Sequence, residues 1–221
     1  MADLAATSNA ADPSTPDHYA PSQTALLLLD FHTTFVQKLG GPKAIAALGV
    51  AAQLRAWAKA QGILVVHALI DVDATPPPTT KGAARFKGIA AMMGPDGAAE
   101  PGELLQDADE RDITFTRTIG RVSALSSPGL LDLLHQKGIK SLVLTGLSTS
   151  GCVMRTAIPA TDAGFVVTVI SNACADGKEN VHDIVLESIL PMSAYVATAA
   201  EFQAGYAKAL ENKRDLHIDA N

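Results

Sequence analysis

The chain has 221 residues, 48% hydrophobic and 18% charged, enough for one domain with a sizeable core or at most two small ones. Its net charge of -6 argues against a nucleic-acid partner, which calls for a basic face, and against an anionic membrane surface. Two cysteines make no disulfide framework and suit a reducing compartment. No apolar run approaches the roughly 20 residues of a membrane helix, and the N-terminus lacks the charged and apolar regions of a signal peptide, so a cytoplasmic protein is expected.

In chain order, residues 1–22 are rich in Ala, Ser, Thr, Asp and Pro and read as a disordered tail. Short apolar strands follow at 24–30, 62–70, 112–117, 140–146, 165–171 and 194–198. Helices are expected between and after them, near 43–60, 128–137, 152–163, 179–190 and 199–211. In the first, Val50, Leu54 and Trp57 recur at helical spacing and should face the sheet. Gly62 and Gly138 stop helices just before strands. The alternation predicts an α/β domain over 23–212, a three-layer sandwich around a mostly parallel sheet, with a C-terminal tail at 213–221. The stretch 71–111 is long for a connection. It reads either as a wall of a substrate pocket, with Phe86 and Met92-Met93 as lining, or as plain surface.

The chemistry concentrates at two strand ends. Ser141 to Leu144 is a buried strand, residues 145–151 are a small-residue turn, and Cys152 opens the next helix. Unpaired N–H groups and the helix dipole at that position stabilise a thiolate, and the same N–H groups suit an oxyanion. A depressed thiol pKa is therefore expected at Cys152. Asp30 closes the first strand, and a carboxylate there is costly to bury without a partner or a purpose. Ligands of open α/β sheets bind beyond the strands' carboxyl ends. A thiol with an acid or base beside it is the minimum for nucleophilic acyl chemistry. Cys174 has no such context and reads as structural. A serine elbow is the weaker reading, because position 150 is Ser where Gly-x-Ser-x-Gly needs Gly. Neither a Gly-x-Gly-x-x-Gly nor a P-loop follows any strand, which sets a nucleotide-binding role aside. His67 and Asp71 lack further histidines at ligand spacing, and His32 has no such partner either. No metal and no cofactor are expected.

Leu28-Leu29-Asp30-Phe31 with Phe35, and Thr145-Gly-Leu-Ser-Thr-Ser-Gly-Cys152-Val with Thr156-Ala157 and Asp162-Ala163-Gly164-Phe165, resemble the two main motifs of the isochorismatase-like cysteine hydrolases. The resemblance runs over about residues 24–200. It implies a six-stranded sheet ordered 3-2-1-4-5-6, which sets Asp30 and Cys152 side by side. It implies that Asp30 acts as general base and acid toward Cys152. It places the family's cis peptide at Leu147–Ser148, so that the Ser148 and Cys152 N–H groups form the oxyanion hole. The family's third catalytic residue is a lysine. Counting from the start of the third strand puts Arg117 in its place; counting back from Ser123-Ala124 puts Ile119 there, and Arg121 is a second candidate. Arginine can hold Asp30 or a thiolate but does not readily yield a proton. Phe35, His32 and Phe86 are assigned to the substrate pocket. The activity implied is hydrolysis of a C–N bond in a small amide, carbamoyl compound or lactam through a thioester, by a protein that is commonly a homo-oligomer. Vinyl-ether hydrolysis of the isochorismatase type, and a catalytically impaired member acting by binding, remain the alternatives.

Overall fold

The computed structural model describes residues 9–218. Its centre is a six-stranded sheet in the order β3-β2-β1-β4-β5-β6. The strands are β1 Thr24–Leu29, β2 Leu64–Asp71, β3 Asp112–Thr118, β4 Ser141–Leu147, β5 Val166–Ala175 and β6 Tyr195–Ala197. Every neighbouring pair is parallel, which sharpens the expectation of a mostly parallel sheet. The chain builds outward from β1 to β3, then returns to pair β4 with β1. That reversal makes the β1/β4 edge the switch point, where open α/β sheets place their ligands.

The apolar runs form strands because both faces of the sheet are covered. All six residues of β1 are buried. Leu26 and Leu28 enter one core with Leu54, Val65, Val143 and Phe202; Ala25, Leu27 and Leu29 enter the other with Val66, Leu130, Leu144 and Val169. The first core lies under α1 (Ala44–Ala60) and α6 (Ala199–Ile218), the second under α3 (Leu130–Gln136) and α4 (Met154–Asp162). Leu54 is fully buried, while Val50 and Trp57 are half-buried against the first core. Trp57 meets Phe202 and Tyr206 edge-on, with ring centroids 5.9 and 5.4 Å away.

Three expectations need correction. The segment from residue 9 to β1 is not a loose tail: it forms two 3-10 turns, Pro16–His18 and Pro21–Gln23, and buries Thr15 and Asp17. Thr15 Oγ1 donates to the Asn9 carbonyl, and Tyr195 donates to the Ser14 carbonyl, so local turns satisfy a composition that reads as solvated. Residues 1–8 lie outside the described residues. Second, 71–111 carries a helix, α2 (Ala83–Ala98), broken at Gly94 (φ 58°). Glycines at 88, 94 and 97 hide it from a propensity reading. Third, α6 runs on to Ile218, through most of the stretch read as a C-terminal tail; 219–221 lie outside the described residues. The helix expected over 179–190 is α5 (Glu179–Ile184) continued by a wider turn at Val185–Ile189 and a 3-10 turn at Leu190–Met192. No helix among the described residues is long and apolar enough to cross a membrane.

Candidate active site

Asp30 is the first residue beyond β1 and takes a left-handed backbone, φ 54°. A non-glycine residue there is uncommon and is found disproportionately at functional sites. Its N–H is tied to the Ala68 carbonyl at 3.0 Å, which fixes the turn. One strand over, Leu29 pairs with Gly146. Gly146 has φ 144°, and a Cβ there would collide with the Leu29 carbonyl oxygen. Only glycine lets β1 and β4 close to this spacing.

Arg117, near the end of β3, completes the cluster. Its Nη1 and Nη2 donate to the two Asp30 carboxylate oxygens at 3.0 and 2.6 Å. Nε donates to the Arg121 carbonyl at 2.9 Å and Nη2 to the Val122 carbonyl at 3.0 Å, while Nη2 also lies 3.3 Å from Cys152 Sγ. Nη2 has two hydrogens for three acceptors, so the sulfur contact is shared. Asp30, Arg117 and Cys152 are each 2–3% exposed. The side chain that reaches the carboxylate and the thiol is therefore that of Arg117. Arg121 is exposed and lends only its backbone, and Ile119 is a buried apolar residue.

The thiol reverses an expectation. Burial, and then the Asp30 carboxylate, push the Cys152 thiol up to about 12, against the opposing pull of Arg117 and the Thr156 hydroxyl. A carboxylate beside the sulfur and the loss of water both disfavour a second negative charge, and one shared guanidinium hydrogen does not offset them. Burial alone would lower the pKa of Arg117, but Cys152 and Asp30 raise it, so it stays a cation. The resting site is thus a neutral thiol facing an Asp–Arg ion pair.

Cys152 sits in a wide turn, Thr149–Val153, two residues ahead of α4, rather than in its first regular turn. The Leu147–Ser148 peptide is cis. The Ser148 carbonyl accepts from the N–H groups of Gly151 and Val153 at 3.1 and 3.2 Å. Asp176, just past β5, accepts from the Ser150 N–H at 2.8 Å and from its hydroxyl at 2.7 Å. Thr149 Oγ1 lies 2.7 Å from Nδ1 of His182 on α5. Thr156 Oγ1 accepts from the Ala124 N–H at 2.9 Å and lies 3.8 Å from the Cys152 sulfur.

The residues assigned to the pocket fare unevenly. His32 is 1% exposed, and both its ring nitrogens are occupied. Nδ1 meets the Ala98 carbonyl at 2.6 Å and Nε2 accepts from the Ile70 N–H at 3.0 Å, which fixes the proton on Nδ1. His32 is a buried bridge between β2 and α2, with Nε2 3.9 Å from Asp30, and not a pocket wall. Phe35 is half-buried, edge-on to His32 with ring centroids 5.3 Å apart. Phe86 is half-buried on α2. A cavity of about 590 Å³ opens beside the ends of β2 and β3, lined by Val72, Asp73, Lys87, Ala91, Gly94 and Ile119. Among the described residues no group of three or more His, Cys, Asp or Glu is placed to hold a metal ion. His67 instead meets Glu100 at 2.9 Å. Sequence reasoning missed Asp176 and His182. Asp176 carried a signal, since it closes β5 as Asp30 closes β1; His182 carried none.

Comparison with known proteins bears on the family and the fold. Residues 24–201 match the family model of the Isochorismatase domain. Maleamate amidohydrolase from Pseudomonas putida is 32% identical over 172 residues, 75% of this chain and 78% of that protein. An isochorismatase family protein from Burkholderia thailandensis has a similar fold, with a TM-score of 0.69 at 22% identity over 84% of this chain and 96% of that one. So does N-carbamoylsarcosine amidase from Thermoplasma acidophilum, with a TM-score of 0.66 at 22% identity over 80% and 96%.

Proposed function

The chain belongs to the isochorismatase family of hydrolases, and from that premise we propose that it is a cysteine hydrolase cleaving the C–N bond of a small amide. The observation that carries this is the buried contact of Cys152, Asp30 and Arg117 at the switch point of the sheet. Maleamate amidohydrolase, 32% identical to this chain, is named for the same bond type.

With a thiol at about 12, little free thiolate exists at neutral pH. Proton transfer to Asp30 therefore accompanies the attack of sulfur on the carbonyl carbon. The tetrahedral oxyanion is held by the N–H groups of Ser148 and Cys152. As it collapses, the C–N bond breaks and Asp30 returns its proton to the departing amine, leaving a thioester. Asp30 then takes a proton from water, the hydroxide adds to the thioester, and the acid leaves as Cys152 recovers its proton. The sum is amide plus water giving acid plus amine, with no cofactor. Arg117 keeps its proton throughout and holds the carboxylate in line with both partners.

The test is ammonia release from maleamate and from N-carbamoylsarcosine. The reading expects turnover of at least one, lost in Cys152→Ser. Turnover that survives Cys152→Ser contradicts it, as does a failure of both substrates together with an unreactive Cys152.

A further inference from the structure

We propose that His182 is a positioning residue for the nucleophile: by holding Thr149 it fixes the turn that presents Cys152 and the oxyanion N–H groups. This rests on the hydrolase reading above and adds a residue that the motifs do not mark.

Two side chains from the segment after β5 grip consecutive residues of the turn. Asp176 takes both polar hydrogens of Ser150, and His182 takes the hydroxyl of Thr149. Thr149 is 0% exposed and His182 7%. The His182 contact is the one hydrogen bond formed by the Thr149 hydroxyl among the described residues. A buried hydroxyl that loses its partner pays its full desolvation cost, so the turn would shift to find another. Thr149 follows Ser148 and precedes Cys152 by three residues, so a shift there moves both oxyanion N–H groups and the sulfur together.

The ring is held neutral. Burial, followed by Lys43, lowers the His182 pKa; Asp183, Asp176 and Glu179 pull the other way without overcoming them. A neutral ring accepts the Thr149 proton at Nδ1 in the tautomer that carries its hydrogen on Nε2, and donates to the Thr149 oxygen in the other; either way the bond ties the two side chains. The ring also borders a cavity of about 370 Å³ with Lys43, Asn172, Cys174, Asp183 and Glu187. His182 does not touch Asp30, Arg117 or Cys152 among the described hydrogen bonds, so its effect travels through Thr149.

Displacing a reacting group by about 1 Å costs on the order of 100-fold in rate. His182→Ala and Thr149→Val should each lower kcat by roughly 10- to 100-fold, with KM little changed. Because both remove one bond, the double variant should be no worse than the worse single one. His182→Asn places an oxygen near the Nδ1 position, and Thr149→Ser keeps the hydroxyl; both should return near-normal kcat. The full-length protein is assayed for ammonia release from maleamate and, in parallel, for the rate at which iodoacetamide alkylates Cys152. The alkylation arm decides alone if maleamate is not turned over. The Thr149→Val and Thr149→Ser pair decides if His182→Ala does not fold. Wild-type rates in Thr149→Val, or losses that multiply in the double variant, overturn the proposal. Cys152→Ser runs alongside: if it keeps its activity, the hydrolase reading fails, which is a different result from intact His182 and Thr149 variants in a cysteine-dependent enzyme.

Discussion

Arginine and lysine differ at position 117 in shape as much as in acidity. The planar fork of Arg117 meets both Asp30 oxygens at once, and its Nε and Nη2 are also anchored by the carbonyls of residues 121 and 122. A lysine would supply one point charge on a flexible stem. Arg117→Lys should therefore keep the fold and lose activity by roughly 10- to 100-fold, as the base loses its orientation. Arg117→Met strands a buried carboxylate and should cost about 3–5 kcal/mol in a denaturant melt. Asp30 and Cys152 stood out in the sequence because each follows an apolar run, whereas counting along the third strand left position 117 or 119, with Arg121 beside them, and it is the fold that brings the Arg117 side chain to Asp30 and Cys152. The direction of the thiol shift was not legible in the sequence. A helix start predicts a thiolate, whereas the outcome depends on total burial and on a carboxylate 122 positions away in sequence. His182 and Asp176 escaped for a similar reason: their bonds to the turn span 33 and 26 residues.

At the scale of elements, the site exists because β1 and β4 can touch. Gly146→Ala would drive a methyl group into the Leu29 backbone and force φ 144° on an L-residue. It should destabilise by roughly 1–3 kcal/mol and slow Cys152 alkylation, read by thermal melt and by mass spectrometry. All six strands were legible as apolar runs, and their order followed from the family resemblance. Helix α2 was not, since its glycines mask it. Its C-terminal end is stitched to the segment after Asp30: Ala98 binds His32, and the Ala99 carbonyl accepts from both the N–H and the hydroxyl of Thr33 at 2.9 Å. Such a tie joins chain segments 66 residues apart and leaves no local pattern.

Across the whole molecule, a buried ionic network ties α1 to β3 away from the catalytic cluster. Asp112, at the start of β3, receives Arg55 Nε at 2.9 Å and Lys59 Nζ at 2.6 Å. Burial alone would raise the Asp112 pKa, but Lys59, the Asp109 N–H and Arg55 together bring it below its usual value of 3.8. A carboxyl that is more acidic when folded stabilises the fold above its unfolded pKa, and that contribution is lost as pH falls through the folded value. Asp112→Asn should cost about 3–5 kcal/mol at pH 7. The gap from wild type should close as pH drops below 3.8, followed by urea melts along a pH series. A gap that stays constant into acid would show that Asp112 contributes by packing instead of charge.

The claim that Asp30 is the base for Cys152 has a direct test. Burial pushes both Cys152 and Cys174 up to about 12, so neither thiol is reactive on its own at neutral pH. The measurement is the rate of iodoacetamide alkylation of each cysteine at pH 7, by mass spectrometry, in wild type and in Asp30→Asn. If Asp30 accepts the thiol proton, Cys152 labels much faster than Cys174, and Asp30→Asn slows it toward the Cys174 rate. If Asp30 acts only as a nearby negative charge, its removal lowers the thiol pKa and labelling speeds up. That result would contradict the account.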